Sequence, residues 1–161
     1  MRFSHSKTLQ ETGCNMATIP HKLRQMFIAD DGYELAELDL NRGESWVYTY
    51  LSMDPELLRI HTTGLDFHAE TAAIIQSVFG SKDLTAAEIA KLAKSGDTFG
   101  YKLRYLGKKR NHASAYRMGP FRAAEVVNEE ADETNITVTP GQMKDAQRLW
   151  LGKYFGSTVW W

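Results

Sequence analysis

The chain has 161 residues, 43% hydrophobic and 24% charged, with a single cysteine, Cys14. This excludes a disordered or collagen-like chain and an internal disulfide framework, and the length suits about one domain with its own core. The net charge of −1 names no partner, no apolar run reaches the roughly 18 residues of a membrane span, and residues 1–10 lack an apolar signal core, so a soluble protein of the reducing cytoplasm is the expectation.

Residues 1–20 read as irregular, with Ser, Thr and Gly throughout and Ile19-Pro20 at the end. Leu23, Met26 and Phe27 mark one short helical turn within 21–28, and Asp30-Asp31-Gly32 is a turn signal. Residues 33–40 then predict a strand. Tyr33, Leu35 and Glu37 fall on one face and Ala36, Leu38 and Leu40 on the other. The strand delivers Asp39 at its end, and Asn41-Arg42-Gly43 breaks it.

Most of the remainder reads as helix. Residues 44–53 carry Trp46, Val47, Tyr50 and Leu51 at helical spacing. Asp54-Pro55 is an N-cap followed by a first-position proline, and Gly64 ends that helix. Asp66 caps the next, with Phe67, Ile74, Ile75 and Val78 as its apolar stripe and Gly80 as its stop. Thr85 and Glu88 form a capping box for a helix ending near Ser95-Gly96. A long helix is expected over 98–118, stopped by Gly119-Pro120. Residues 128–138 predict a loop with an extended piece, and Thr139-Pro140-Gly141-Gln142 opens a final helix carrying Met143, Ala146, Leu149, Trp150 and Tyr154.

Charge is unevenly spread. Lys102, Arg104, Lys108, Lys109 and Arg110 form a run without anions, and Glu125, Glu129, Glu130, Asp132 and Glu133 a run without cations. This patterning suggests one face meant for a polyanion, or two solvated surfaces. Three constellations could carry chemistry. Asp39 with Glu44 places a carboxylate at a strand end, where Mg²⁺ could be held together with the Leu40 carbonyl; such an aspartate also serves as a turn residue. Arg104, Lys108, His112 and Tyr116 recur at i, i+4 and so share one helix face, able to hold a triphosphate and stack a base, or to form a basic surface helix. His68, in the first turn after the Asp66 cap, could donate to an anion or sit on the surface. Phosphate-loop, zinc and nucleophile-elbow motifs are absent from the sequence.

In order, these pieces resemble family A DNA polymerases, the class of bacterial DNA polymerase I and many phage replicases. Asn15-Met16-Ala17-Thr18-Ile19-Pro20 is similar to the family's Asn-Leu-Gln-x-Ile-Pro, followed by Arg24 and Phe27. Asp39-Leu40-Asn41-Arg42-Gly43-Glu44 stands where motif A, Asp-Tyr-Ser-Gln-Ile-Glu, is expected, with Asp54-Pro55 after it. Gly64-Leu65-Asp66-Phe67-His68 with Thr71-Ala72 resembles Gly-x-Asp-Ile-His-x-x-Thr-Ala, and Arg104, Lys108, Asn111 and Tyr116 resemble motif B. The chain departs at Ala17, Arg42, Gly43, His112 (usually Phe or Tyr) and Arg117 (usually Gly), and no His-Asp-Glu of motif C is present.

The resemblance implies an α+β fold, predominantly helical, with residues 1–45 as a partial palm of few strands and 46–161 as fingers. It implies template-directed addition of deoxynucleotides (dNTP) to a primer on template DNA. Asp39 and the Leu40 carbonyl would bind Mg²⁺, two ions in the complete enzyme. Glu44 would exclude a ribose 2′-hydroxyl. Arg104, Lys108, His68 and Arg24 would hold the nucleotide, and Lys108 could protonate pyrophosphate. His112 and Tyr116 would stack at the nascent pair, and Arg2, Asn15, Tyr116 and Arg117 would contact DNA. With motif C missing, the chain is expected to be a truncated, phage-like piece that is inactive alone. The alternative is a non-catalytic, split DNA- or nucleotide-binding subunit completed by a second chain that carries motif C.

Overall fold

The computed structural model describes residues 23, 25–36, 40, 42–80 and 83–160, with residues 159 and 160 described by backbone alone. Its contacts divide the chain into two units, residues 1–40 and 41–161.

In the first unit the Met26 amide donates to the Leu23 carbonyl at 3.1 Å, closing one turn, and the Tyr33 amide donates to Asp30 at 2.9 Å across the expected Asp-Asp-Gly turn. Residues 33–36 and 40 are irregular, which corrects the strand expected there. Alternation defines two faces, but a strand exists only through a hydrogen-bonded neighbour. Among the described residues no strand is formed, and the expected α+β class reduces to a predominantly helical one.

The second unit is helical among its described residues: α1 (Gly43–Ser52), α2 (Pro55–Thr62), α3 (Phe67–Ile75, continued by the 3₁₀ turn Gln76–Phe79), α4 (Ala86–Lys94), α5 (Thr98–Ala115), α6 (Pro120–Asn128), α7 (Ala131–Thr134), α8 (Pro140–Lys153) and α9 (Ser157–Trp160). The expected caps do the local work. Asp54 Oδ1 accepts from the amides of Glu56 and Leu57, while its Oδ2 accepts from the Gly156 amide at 2.7 Å, far along the chain. Asp66 caps α3, and Thr85 with Glu88 and Thr139 with Gln142 form complete capping boxes.

Three apolar clusters bind the helices together. Tyr105, Leu106 and Ala113 of α5 meet Ala123 and Val127 of α6 and Met143 and Ala146 of α8. Tyr48, Leu57, Ile60, Phe67, Trp150 and Tyr154 join α1, α2, α3 and α8. Ala69, Ala72, Ile89 and Leu103 fill the junction of α3, α4 and α5. Gly107 permits the closest of these approaches, because a Cβ there would lie 2.2 Å from the His68 carbonyl oxygen. That absence lays α5 directly on the first turns of α3.

Three expectations are revised. The long helix stops at Ala115 rather than Met118. Arg117 turns left-handed at φ 55°, and the Met118 amide folds back to the Ala113 carbonyl at 2.8 Å. Gly119-Pro120 therefore does not stop that helix, which has already ended; it starts α6, with Pro120 in the first position where its missing N–H costs nothing. In 128–138 the extended piece follows α7. The Asn128 side chain brackets it, accepting from Val138 N–H at 2.9 Å and donating to the Val138 carbonyl at 3.0 Å, as a neighbouring strand would.

The basic run is also not one face. Five cations within nine residues of a 3.6-residue helix must point in several directions. Lys109 pairs with Glu130 of the acidic run, which also accepts from the Tyr105 hydroxyl at 2.7 Å. Arg110 is fully buried; its Nε donates to Ser114 Oγ at 3.0 Å, and burial pushes its pKa down to about 10. Arg104 and Lys108 are left toward the outer face.

Candidate functional site

Arg104, Lys108, His112 and Tyr116 follow one another along the outer side of α5. Lys108, His112 and Tyr116 are exposed and Arg104 is half-buried. The His112 and Tyr116 rings lie 4.7 Å apart, centroid to centroid. The Tyr116 hydroxyl donates to Glu44 Oε1 at 2.9 Å, joining the end of α5 to the first turn of α1. This contact walls an apolar hollow of about 240 Å³ formed with Val47, Tyr48, Leu51 and Ala115.

At the other end of the ridge, α3 contributes its N-terminus. Asp66 Oδ1 accepts from the amides of His68 and Ala69 at 3.1 and 3.2 Å. Its Oδ2 accepts from Arg104 Nε at 2.8 Å. One carboxylate therefore caps a helix and aims a guanidinium. Burial alone would raise Asp66, but the hydrogen bond and charge of Arg104 hold it below its ordinary pKa. Asp66, Arg104 and Lys108 line a cleft of about 420 Å³ with Lys94, Tyr101 and Tyr105. That volume lies in the range of small-molecule sites.

His68 sits between these parts. Burial, then the charges of Arg104, Lys108 and Arg42, push its pKa down to about 4 against the opposing pull of Asp66. The ring is neutral at pH 7 within a positive field, and that field suits an anion. Arg42 joins this group from a left-handed position at φ 59°, where its guanidinium donates to the Leu65 carbonyl at 2.7 Å. Burial also lowers His112, opposed by Glu44.

Behind the ridge Asn111 ties α3, α5 and α8 together. Its Oδ1 accepts from Thr71 Oγ1 and Trp150 Nε1, both at 2.8 Å. Its Nδ2 donates to the Phe67 carbonyl at 3.3 Å and lies 3.2 Å from His68 Nδ1.

The second unit thus brings Glu44, His68, Arg104, Lys108, His112 and Tyr116 onto neighbouring elements. Arg117 follows as the exposed left-handed residue beyond α5. Leu40 is exposed and belongs to the first unit. Arg2, Asn15, Arg24 and Asp39 lie outside the described residues. Sequence reasoning missed the pairing of Asp66 with Arg104 and the part played by Arg42, which it read only as a break in motif A. A helix cap and a cation 38 residues further on, inside another helix, offer no local signal of meeting.

Among the described residues no three His, Cys, Asp or Glu side chains are placed to hold a metal ion; Asp39, the ligand the resemblance implies for Mg²⁺, lies outside them. Nor, among them, is any helix long and apolar enough to cross a membrane.

Over 82 aligned residues the chain is 34% identical to the thermostable DNA polymerase I of Thermus aquaticus and 32% identical to that of Thermus thermophilus. Each match covers 45% of this chain, which spans 10% of the length of those relatives. The chain thus contains a region similar to DNA polymerase I. No protein-family model matches it, and no solved structure matches it.

Proposed function

We propose that the α5 ridge holds a deoxynucleoside triphosphate, as the nucleotide-binding part of a template-directed DNA polymerase of family A. The observation that carries this reading is that Arg104 and Lys108 line one cleft, with neutral His68 within the field of both cations and two rings further along the same helix. Phosphoryl transfer depends on positioning and charge neutralisation more than on covalent help from the protein. Arg104, held through Nε by Asp66, presents its two terminal nitrogens to phosphate oxygens. Lys108 adds a mobile cation and a proton for departing pyrophosphate. His112 and Tyr116 offer ring faces to the base, and Glu44, steadied by the Tyr116 hydroxyl, stands where a 2′-hydroxyl would be refused.

In this reading residues 1–45 belong to a palm and 46–161 to fingers, of phage type. Asp39 and the Leu40 carbonyl would hold Mg²⁺, which stabilises the attacking and leaving oxygens when bound. Arg24 would contact the nucleotide, and Arg2, Asn15 and Arg117 the primer-template DNA. A further carboxylate would come from sequence outside the matched region or from a second chain. The purified 161-residue chain should therefore not extend a primer, and measured extension would refute that part.

The binding claim is tested by calorimetric titration with dATP. Arg104→Ala and Lys108→Ala should each weaken binding by about tenfold or more, as expected for a charge-assisted hydrogen bond. Lys102→Ala should change it by less than about twofold. Equal losses at all three positions would reduce the ridge to a nonspecific basic surface.

A further inference from the structure

We propose that Asn111 is a positioning residue that sets the tautomer of His68, keeping its proton on Nε2 so that the neutral ring has its donor at the nitrogen Asn111 does not hold. The argument needs only which groups can give and which can take. The indole N–H of Trp150 is a donor alone, so the Asn111 atom 2.8 Å from it must be the amide oxygen. The Phe67 carbonyl is an acceptor alone, so the atom 3.3 Å from it must be the amide nitrogen. Two independent contacts, from α8 and from α3, thus fix the amide in one orientation. The Thr71 hydroxyl agrees, donating to the same Oδ1 at 2.8 Å.

With the amide fixed, its second N–H faces His68 Nδ1 at 3.2 Å. A proton on Nδ1 would set two donors against each other in a half-buried site. A lone pair there completes a hydrogen bond. The Nε2–H tautomer is favoured about tenfold or more, the usual consequence of leaving a buried donor unpaired. Protonation at both nitrogens meets the same obstacle, which agrees with the suppression of the imidazolium by burial and by the nearby cations. His68 is then a neutral donor beside Arg104 and Lys108, contributing a hydrogen bond without adding to the repulsion between those cations. Its use as a phosphate contact rests on the nucleotide reading above; the tautomer does not.

Long-range ¹H–¹⁵N correlation of the imidazole rings in the full chain near pH 7.5 tests this directly, with the His68 signal identified by its loss in His68→Gln. The wild type should show a protonated Nε2 and an unprotonated Nδ1. Asn111→Asp keeps an oxygen for Trp150 and Thr71 and turns an acceptor toward His68, so the proton should appear on Nδ1. A protonated Nδ1 in the wild type overturns the proposal. So does a folded Asn111→Asp variant whose Nδ1 stays unprotonated. If that variant does not fold, the wild-type spectrum still decides. Addition of dATP separates the two ideas. The expected Nε2–H spectrum with no change on saturation would leave the positioning role intact and remove the nucleotide from this site.

Discussion

The two sides of α5 are made from the same 18 residues under opposite rules. The inner side carries Gly107, Arg110, Asn111 and Ser114, which are buried, and each polar group there is answered by a named atom or left with a cost. The outer side carries Lys108, His112 and Tyr116, exposed, with Arg104 at its half-buried end. Both sides hold residues of the same polymerase-like motif. The comparison teaches that a motif mixes two kinds of constraint: groups that line an open cleft, and groups that fix where those groups point. Asn111 and Arg104 are equally prominent in the sequence, yet one braces helices and the other addresses the cleft.

Substitutions should separate the sides by what they damage. The largest stability loss is expected from Asn111→Ala, which strands the buried Trp150 N–H and removes the acceptor of the Thr71 hydroxyl; about 3–4 kcal/mol should be lost in urea denaturation. Gly107→Ala should cost about 2–3 kcal/mol, because the new Cβ must push α5 away from the His68 carbonyl.

The pH dependence sharpens the contrast, since His68 lies where the two sides meet. Its native pKa is about 4 against an ordinary value of 6.5, so the unfolded chain takes up the proton first as the pH falls. The stability it confers is complete above about pH 6.5 and drains away toward pH 4, by up to about 3 kcal/mol. His68→Gln should flatten that part of the Tm profile. A profile unchanged by the substitution would mean that the ring is already solvated.

Arg117→Gly should raise stability by about 0.5–1 kcal/mol, since φ 55° suits glycine and strains arginine. The smallest effect belongs to the outer side. Arg104→Ala should cost under about 1 kcal/mol in the same denaturation, because its ion pair with Asp66 is partly solvated. A loss as large as that of Asn111→Ala would erase the distinction between the faces.

The same distinction explains what could be read from residues alone. Caps are local chemistry, and Asp54, Asp66, Thr85 and Thr139 each announce a helix start that the structure contains. The ridge follows from i, i+4 spacing. What could not be read is non-local. Arg110 sits in a basic run but turns inward, and its burial is decided by α8, more than 30 residues away. The Thr71–Asn111–Trp150 contacts join three helices that no periodicity links. The segment from 33 to 36 has the alternation of a strand, but pairing depends on a neighbour that its own residues cannot specify.

Asp54 shows how such distant ties shape the route to the fold. Its Oδ1 finds both partners within three residues and is engaged as soon as α2 winds. Its Oδ2 must wait for an amide 102 positions further on. Closing so long a circuit carries an entropic penalty that local winding avoids. A chain still leaving the ribosome can therefore hold α2 capped while the same carboxylate stands half-used. The arrival of residue 156 completes it, so early and late assembly are recorded on two oxygens of one side chain.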